Sequence, residues 1–130
     1  MGTLCTRLKI VDEAGSYQLN CSADELRVAV EEAGFALFEA DLAAVQGKGE
    51  FLVAIAQAIH APDWFGANWD ALADALGDLS WCSSPGYVLL LHNGGGTLGL
   101  NDDRNIAMEI LAGTVAFWKS QGKPFWVFFC

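Results

Sequence analysis

Asp70, Asp74 and Asp78 fall four apart in "WFGANWDALADALGD", residues 64–78, a stretch without Lys or Arg. The spacing predicts a helix over 68–80, because Trp69, Leu72, Leu76 and Leu79 recur at three and four and make one apolar face. Each step of four advances by about 40° at roughly 100° per residue, so the three carboxylates line a neighbouring edge. A row of this kind has three chemical uses: to ligate a cation, to work as an acid/base pair, or to offer negative charge to a cationic partner. It also has a cost. Like charges four apart repel by a few tenths of a kcal/mol, roughly, in an isolated helix, and Asp is a mediocre helix former beyond the first turn. The plain alternative is a solvated acidic face, with Asp70 favoured by the helix dipole and Asp63 acting as a cap.

Three features point toward a contact surface. No basic residue is interleaved, the aromatics Trp64 and Phe65 come just before, and Gly66 in "GAN" would let another chain approach closely. The catalytic and metal readings are weaker. Acid/base work needs two carboxylates with pKa values pushed apart by different surroundings, and two Asp on one exposed stripe share theirs. Magnesium takes carboxylates together with phosphates, and no phosphate site is evident. "GGGTLG", residues 94–99, matches G-x-G-x-x-G after a strand, but "LNDDRN" would set Asp102 and Asp103 against a pyrophosphate. His60 reads as a helix-end dipole partner and His92 as structural, and Cys82 has no convincing base. The expectation is therefore no enzyme, no cofactor and no metal.

Composition agrees. The 130 residues are 53% hydrophobic and carry 16 acidic against 7 basic side chains, a net charge of −9. That surface repels phosphate backbones, so no direct nucleic-acid binding is expected, whereas basic proteins are attracted and steered. Between Lys48 and Arg104 there is no Lys or Arg, while Glu50, Asp63, Asp70, Asp74 and Asp78 lie inside that span. The longest apolar runs, "FLVAIAQAI" and "PFWVFF", fall short of the roughly 20 residues a bilayer span needs, so no membrane partner is expected. "MGTLCTRLKIVDEAG" lacks the apolar core of a secretory signal, and Cys5, Cys21, Cys82 and Cys130 are scattered with no C-x-x-C pair. Both point to a reduced, cytoplasmic chain.

The elements that must position the stripe follow from pattern. "TRLKIVD" and "SYQLN" alternate as two short strands around "EAG", a hairpin. "CSADELRVAVEEAG" is a helix with a Ser22–Glu25 capping box, an apolar face of Leu26, Ala29, Val30 and Ala33, and Gly34 as its left-handed stop. "FALFEADL" reads as a strand buried on both faces. "GKGEFLVAIAQAIHAP" is a helix packing Phe51, Leu52, Ile55 and Ile59, closed by Pro62. After the acidic helix come the strand "PGYVLLLHN", a long helix begun by a cap at Asn101 or Asp102 and ended by Gly122, and the strand "PFWVFFC". Alternating strands and helices imply an α/β fold of three parallel strands packed by helices, with an N-terminal hairpin-plus-helix extension. The whole chain, 1–130, reads as one domain, with 1–34 as extension and 35–130 as core.

"PDWFGANWDALADAL", continued by "GDLSW", resembles the motif of the barstar family, intracellular inhibitors of small ribonucleases. The element order from Phe35 to Cys130 is similar to that family's whole domain. The resemblance implies that the acidic helix and its preceding loop enter a ribonuclease active site, carboxylates standing where RNA phosphates would sit. It makes Asp74 the central anchor and Asp70 the second charge. Trp64 would stack on the enzyme, Gly66 and Asn68 would shape the loop, and Trp69 and Ala73 would add packing. The implied partner is a small basic ribonuclease or ribonuclease toxin; the alternative is an acidic module that binds some other basic protein. Two departures stand out. Ala73 occupies a place where some relatives carry an aromatic, and "VAFWKSQGK" offers Phe117 and Lys119 where an acidic residue is expected.

Overall fold

The computed structural model describes residues 3–43, 45, 47–61, 66, 68–93 and 101–130, with the backbone alone at 3, 5 and 101–104. Its centre is a sheet of four strands: β1 (Ser16–Gln18), β2 (Ala36–Asp41), β3 (Tyr87–His92) and β4 (Phe125–Phe129). They are ordered β1-β4-β3-β2, and every neighbouring pair is parallel. Among the described residues five α-helices accompany it: α1 (Thr3–Leu8), α2 (Ala23–Ala33), α3 (Lys48–Ala58), α4 (Trp69–Asp78) and α5 (Asn101–Ser120). Parallel neighbours need crossover connections, and the helices supply them.

Local signals explain several boundaries. Ser22 Oγ accepts the Glu25 amide at 3.1 Å to open α2, and Gly34 closes it at φ 74°, a conformation that a side chain would strain. Gly86, just before β3, lies under the Phe35 ring; a Cβ there would meet the ring at 2.7 Å. Phe51, Leu52, Ile55 and Ile59 of the α3 region are all buried. So is every residue of β3 but His92, the pattern of a central strand.

The front of the chain departs from the expected hairpin. "TRLKIVD" does not form a strand: Thr3–Leu8 is α1, and Val11–Glu13 is a 3-10 turn. The alternating apolar pair of that stretch, Leu8 and Ile10, does not share a face: Leu8 ends α1 buried and Ile10 is exposed, so alternation alone misleads. Packing decides for the helix, since Leu8 is fully buried and its carbonyl accepts the Trp126 indole N–H at 2.9 Å. "SYQLN" does contain a strand, but it pairs in parallel with β4, Ser16 opposite Val127 and Gln18 opposite Phe129. The sheet therefore has four strands rather than three, and the extension occupies the β4 edge that would otherwise lie open.

β2 also differs from expectation. It is the opposite edge strand, so only Phe38 and Ala40 of it are buried, and Glu39 is half-exposed. Tyr87 lies at the centre of the core, within 5.1–6.1 Å of the Trp118, Phe125 and Phe38 rings, with its hydroxyl donating to the Cys82 carbonyl at 2.9 Å. Among the described residues no buried side-chain polar atom lacks a partner, and no helix is long and apolar enough to cross a membrane.

Candidate functional site

α4 forms where the apolar spacing places it. Asn68 is its N-cap in extended conformation, and Asn68 Oδ1 accepts the Ala71 amide at 2.7 Å. The same side chain turns back: Asn68 Nδ2 donates to the Gly66 carbonyl at 3.3 Å. A Cβ at Gly66 would sit 3.3 Å from that nitrogen, closer than most side chains tolerate, so this loop position suits glycine. Leu72, Ala75 and Leu76 are fully buried, and Leu79 takes the left-handed position after the last turn at φ 49°.

Three anchors fix the inner side of the helix. Trp118 of α5 donates its indole N–H to the Leu76 carbonyl at 2.8 Å. Trp81, beyond the helix, donates to the Ile59 carbonyl at the end of α3, also at 2.8 Å. The Trp69 ring lies 6.0 Å from that of Phe51. Held from α3 and α5 together, α4 presents its outer face in a set orientation.

Asp70, Ala73, Asp74 and Asp78 are on that outer face, all exposed. Asp78 accepts the Ser80 hydroxyl at 3.1 Å. Among the described residues no Lys, Arg or His forms an ion pair with Asp70 or Asp74. Lys48 is near the first turn, but its Nζ sits 5.8 Å above the Trp69 ring as a cation–π contact. Trp69 is thus half-buried between α3 and the surface, its ring engaged by Phe51 and Lys48. The sequence singled out Trp69 but gave no sign of Lys48, which lies 21 positions before it and reaches it only through the packing of α3 on α4.

Trp64, together with Pro62, Asp63 and Phe65, lies outside the described residues, as does the Gly-rich run 94–99. α5 starts at Asn101, so Asp102 and Asp103 fall in its first turn. On the same helix Phe117 is 44% exposed beside Trp118, and Lys119 Nζ donates to the Asp12 carbonyl at 3.3 Å. The last helix therefore offers an apolar side chain where an acid was expected, and its lysine is turned toward the N-terminal extension. Among the described residues no group of His, Cys, Asp and Glu is arranged to hold a metal.

A row of exposed carboxylates on a braced helix suits the capture of a cationic partner. Comparison with known families gives a match over residues 35–130 to the Barstar family, described as barnase inhibitor. No curated protein matches the chain. The match covers the sheet strands β2, β3 and β4, α3, the acidic helix and the long helix, leaving α1, β1 and α2 as the extension. The chain belongs to the barstar family, and it is a proteinaceous ribonuclease inhibitor rather than an enzyme.

Proposed function

We propose that α4 and the loop before it plug the active-site cleft of a small basic ribonuclease. Asp74 is the central anchor and Asp70 the second charge, each meeting an Arg, Lys or His that otherwise binds RNA phosphate. Trp64 stacks on the enzyme, Gly66 and Asn68 set the loop, and the outer edge of Trp69 with Ala73 fills space. The observation that carries this reading is the pair Asp70 and Asp74, exposed on a helix braced from behind and unpaired among the described residues.

The physics runs from charge to occlusion. A cleft that holds phosphates is cationic, and a preformed acidic edge imitates its substrate. Desolvating a carboxylate is worthwhile only where it meets a donor in good geometry, and a bidentate Arg is the best of these. The repulsion between Asp70 and Asp74 in the free helix is relieved when each gains its own cation. The net charge of −9 steers a basic enzyme toward the complex, more strongly at low salt. Nothing is turned over, no cofactor takes part, and nucleic acid and membrane are not partners. The inhibitor acts in the cytoplasm, guarding the cell against its own secreted ribonuclease or a competitor's toxin. The whole chain acts as one domain.

The test is an RNA-cleavage assay with barnase and a panel of other small basic ribonucleases. At least one enzyme is stopped at a one-to-one ratio, less completely as salt rises. Full activity of every enzyme at a tenfold excess of this chain contradicts the reading. Binding without loss of cleavage would favour an acidic module for another basic protein.

A further inference from the structure

The carboxyl ends of β2, β3 and β4 bring together a second set of reactive groups. Cys130 follows β4 and is exposed, with its Sγ 3.3 Å from His92 Nδ1 at the end of β3. His92 Nε2 lies 2.9 Å from Glu39 Oε1 on β2. Glu39 in turn receives Arg27 of α2 through two hydrogen bonds, at 2.9 and 2.8 Å, and Arg27 also bonds Asp24 at 2.6 Å. This is a nucleophile beside a base, the base oriented by a third group, and the third group fixed by a fourth. The crevice outside the carboxyl ends of parallel strands is also where open α/β sheets bind small molecules.

Charge decides which nitrogen does what. The Arg27 and His92 hydrogen bonds hold the Glu39 carboxyl at about 2, against a burial effect that opposes them, so it is an ionised acceptor at neutral pH. A neutral His92 must then carry its proton on Nε2, which leaves the Nδ1 lone pair facing Cys130. Burial, then the Glu39 charge, pushes the Cys130 thiol up, so its resting form is S–H and it needs a base to react. The groups facing it are Glu39 and Asp41 from β2, His92 from β3 and Arg27 from α2.

We infer that Cys130 is a nucleophilic thiol, with His92 as its general base and Glu39 as the positioning residue, and that it takes up small disulfides, cationic ones fastest. In the step, the Cys130 proton passes to His92 Nδ1 and the sulfur attacks one sulfur of the disulfide RS–SR. The RS–SR bond breaks as the Cys130 S–SR bond forms. The leaving thiolate takes the proton from the imidazolium and departs as RSH, so Cys130 is oxidised and the departing sulfur reduced. The preference for cations comes from two carboxylates against one guanidinium around the thiol. Asp41 also lines an open groove of about 370 Å³ with Val45, Gly49, Glu50, Val53, Ala54 and Gln57, so carboxylates, an amide and aliphatic surface adjoin there. That lining suits an ammonium on a short alkyl arm. Asn93 links the two places, donating from Nδ2 to Asp41 at 3.0 Å and from its amide to the Cys130 carbonyl at 2.8 Å.

The test follows modification of the intact chain by cystamine, with intact mass and peptide mapping, using Cys21 and Cys82 as internal references. At neutral pH Cys130 reacts at least tenfold faster than either. His92→Gln slows Cys130 at least tenfold and makes its rate rise about tenfold per pH unit, whereas the wild-type profile is flatter. Glu39→Gln steepens the profile in the same direction, which a merely structural role would not do. A His92→Gln variant with the wild-type rate and slope overturns the inference. A measurement on wild type alone guards against misfolded variants: cystamine reacts at least tenfold faster than dithiodipropionate, and equal rates overturn the charge selection.

Discussion

Glu39 and Asp74 are carboxylates on the same small chain with opposite circumstances. Glu39 is a closed account of charge: it accepts two bonds from Arg27 and one from His92, and they tie α2, β2 and β3 together. Asp74 is exposed on α4, and among the described residues no cation pairs with it. One acid is spent on the fold. The other is left available, although it repels its neighbours four residues away. The difference is between charge that ties elements of the fold together and charge left on the surface.

The comparison breaks first at Asp74. Asp74→Ala weakens binding of the target ribonuclease at least a hundredfold by titration calorimetry, about 2.7 kcal/mol. The melting midpoint stays the same or rises slightly as repulsion is removed. An unchanged affinity removes Asp74 from the site. Asn68→Ala removes both the α4 cap and the tie to Gly66, at a cost of about 1 kcal/mol in urea unfolding. A variant as stable as wild type shows that the cap is idle.

Glu39→Gln does the converse of Asp74→Ala. It lowers the melting midpoint by a few degrees and leaves ribonuclease affinity within twofold. Its effect depends on pH in a definite sense. The carboxyl is held at about 2 in the folded chain against an ordinary 4.5, so its stabilisation is present above the ordinary value. That stabilisation is lost as pH falls from about 4.5 toward 2. Wild type therefore loses its advantage over Glu39→Gln across that window in thermal melts, and parallel curves would mean that the Arg27 and His92 bonds do not stabilise the native state.

What was legible in the sequence was local. The Ser22 cap, the Gly34 stop and the apolar stripe of α4 are each set by residues within a few positions, so spacing reveals them. The fourth strand is not local. Ser16 meets Val127, a pairing that no window along the chain contains. The helix over Thr3–Leu8 hid behind the alternation of Leu8 and Ile10, of which only Leu8 turns out to be buried. β2 carries a run of apolar residues fit for a central strand, yet the order of strands leaves it at an edge, where Glu39 finds Arg27. The same limit concealed the thiol site, for Glu39, His92 and Cys130 stand 53 and 38 positions apart and meet only because three parallel strands end side by side. The acidic face was visible because its four-residue rhythm is written in one stretch.

The central claim is that the α4 carboxylates take the place of RNA phosphates in a ribonuclease cleft. Its most direct measurement is growth of cells expressing a toxic small ribonuclease together with this chain or its Asp70→Ala/Asp74→Ala double variant. Rescue by wild type and failure by an equally abundant, folded double variant is the predicted result. Equal rescue by both would contradict the claim.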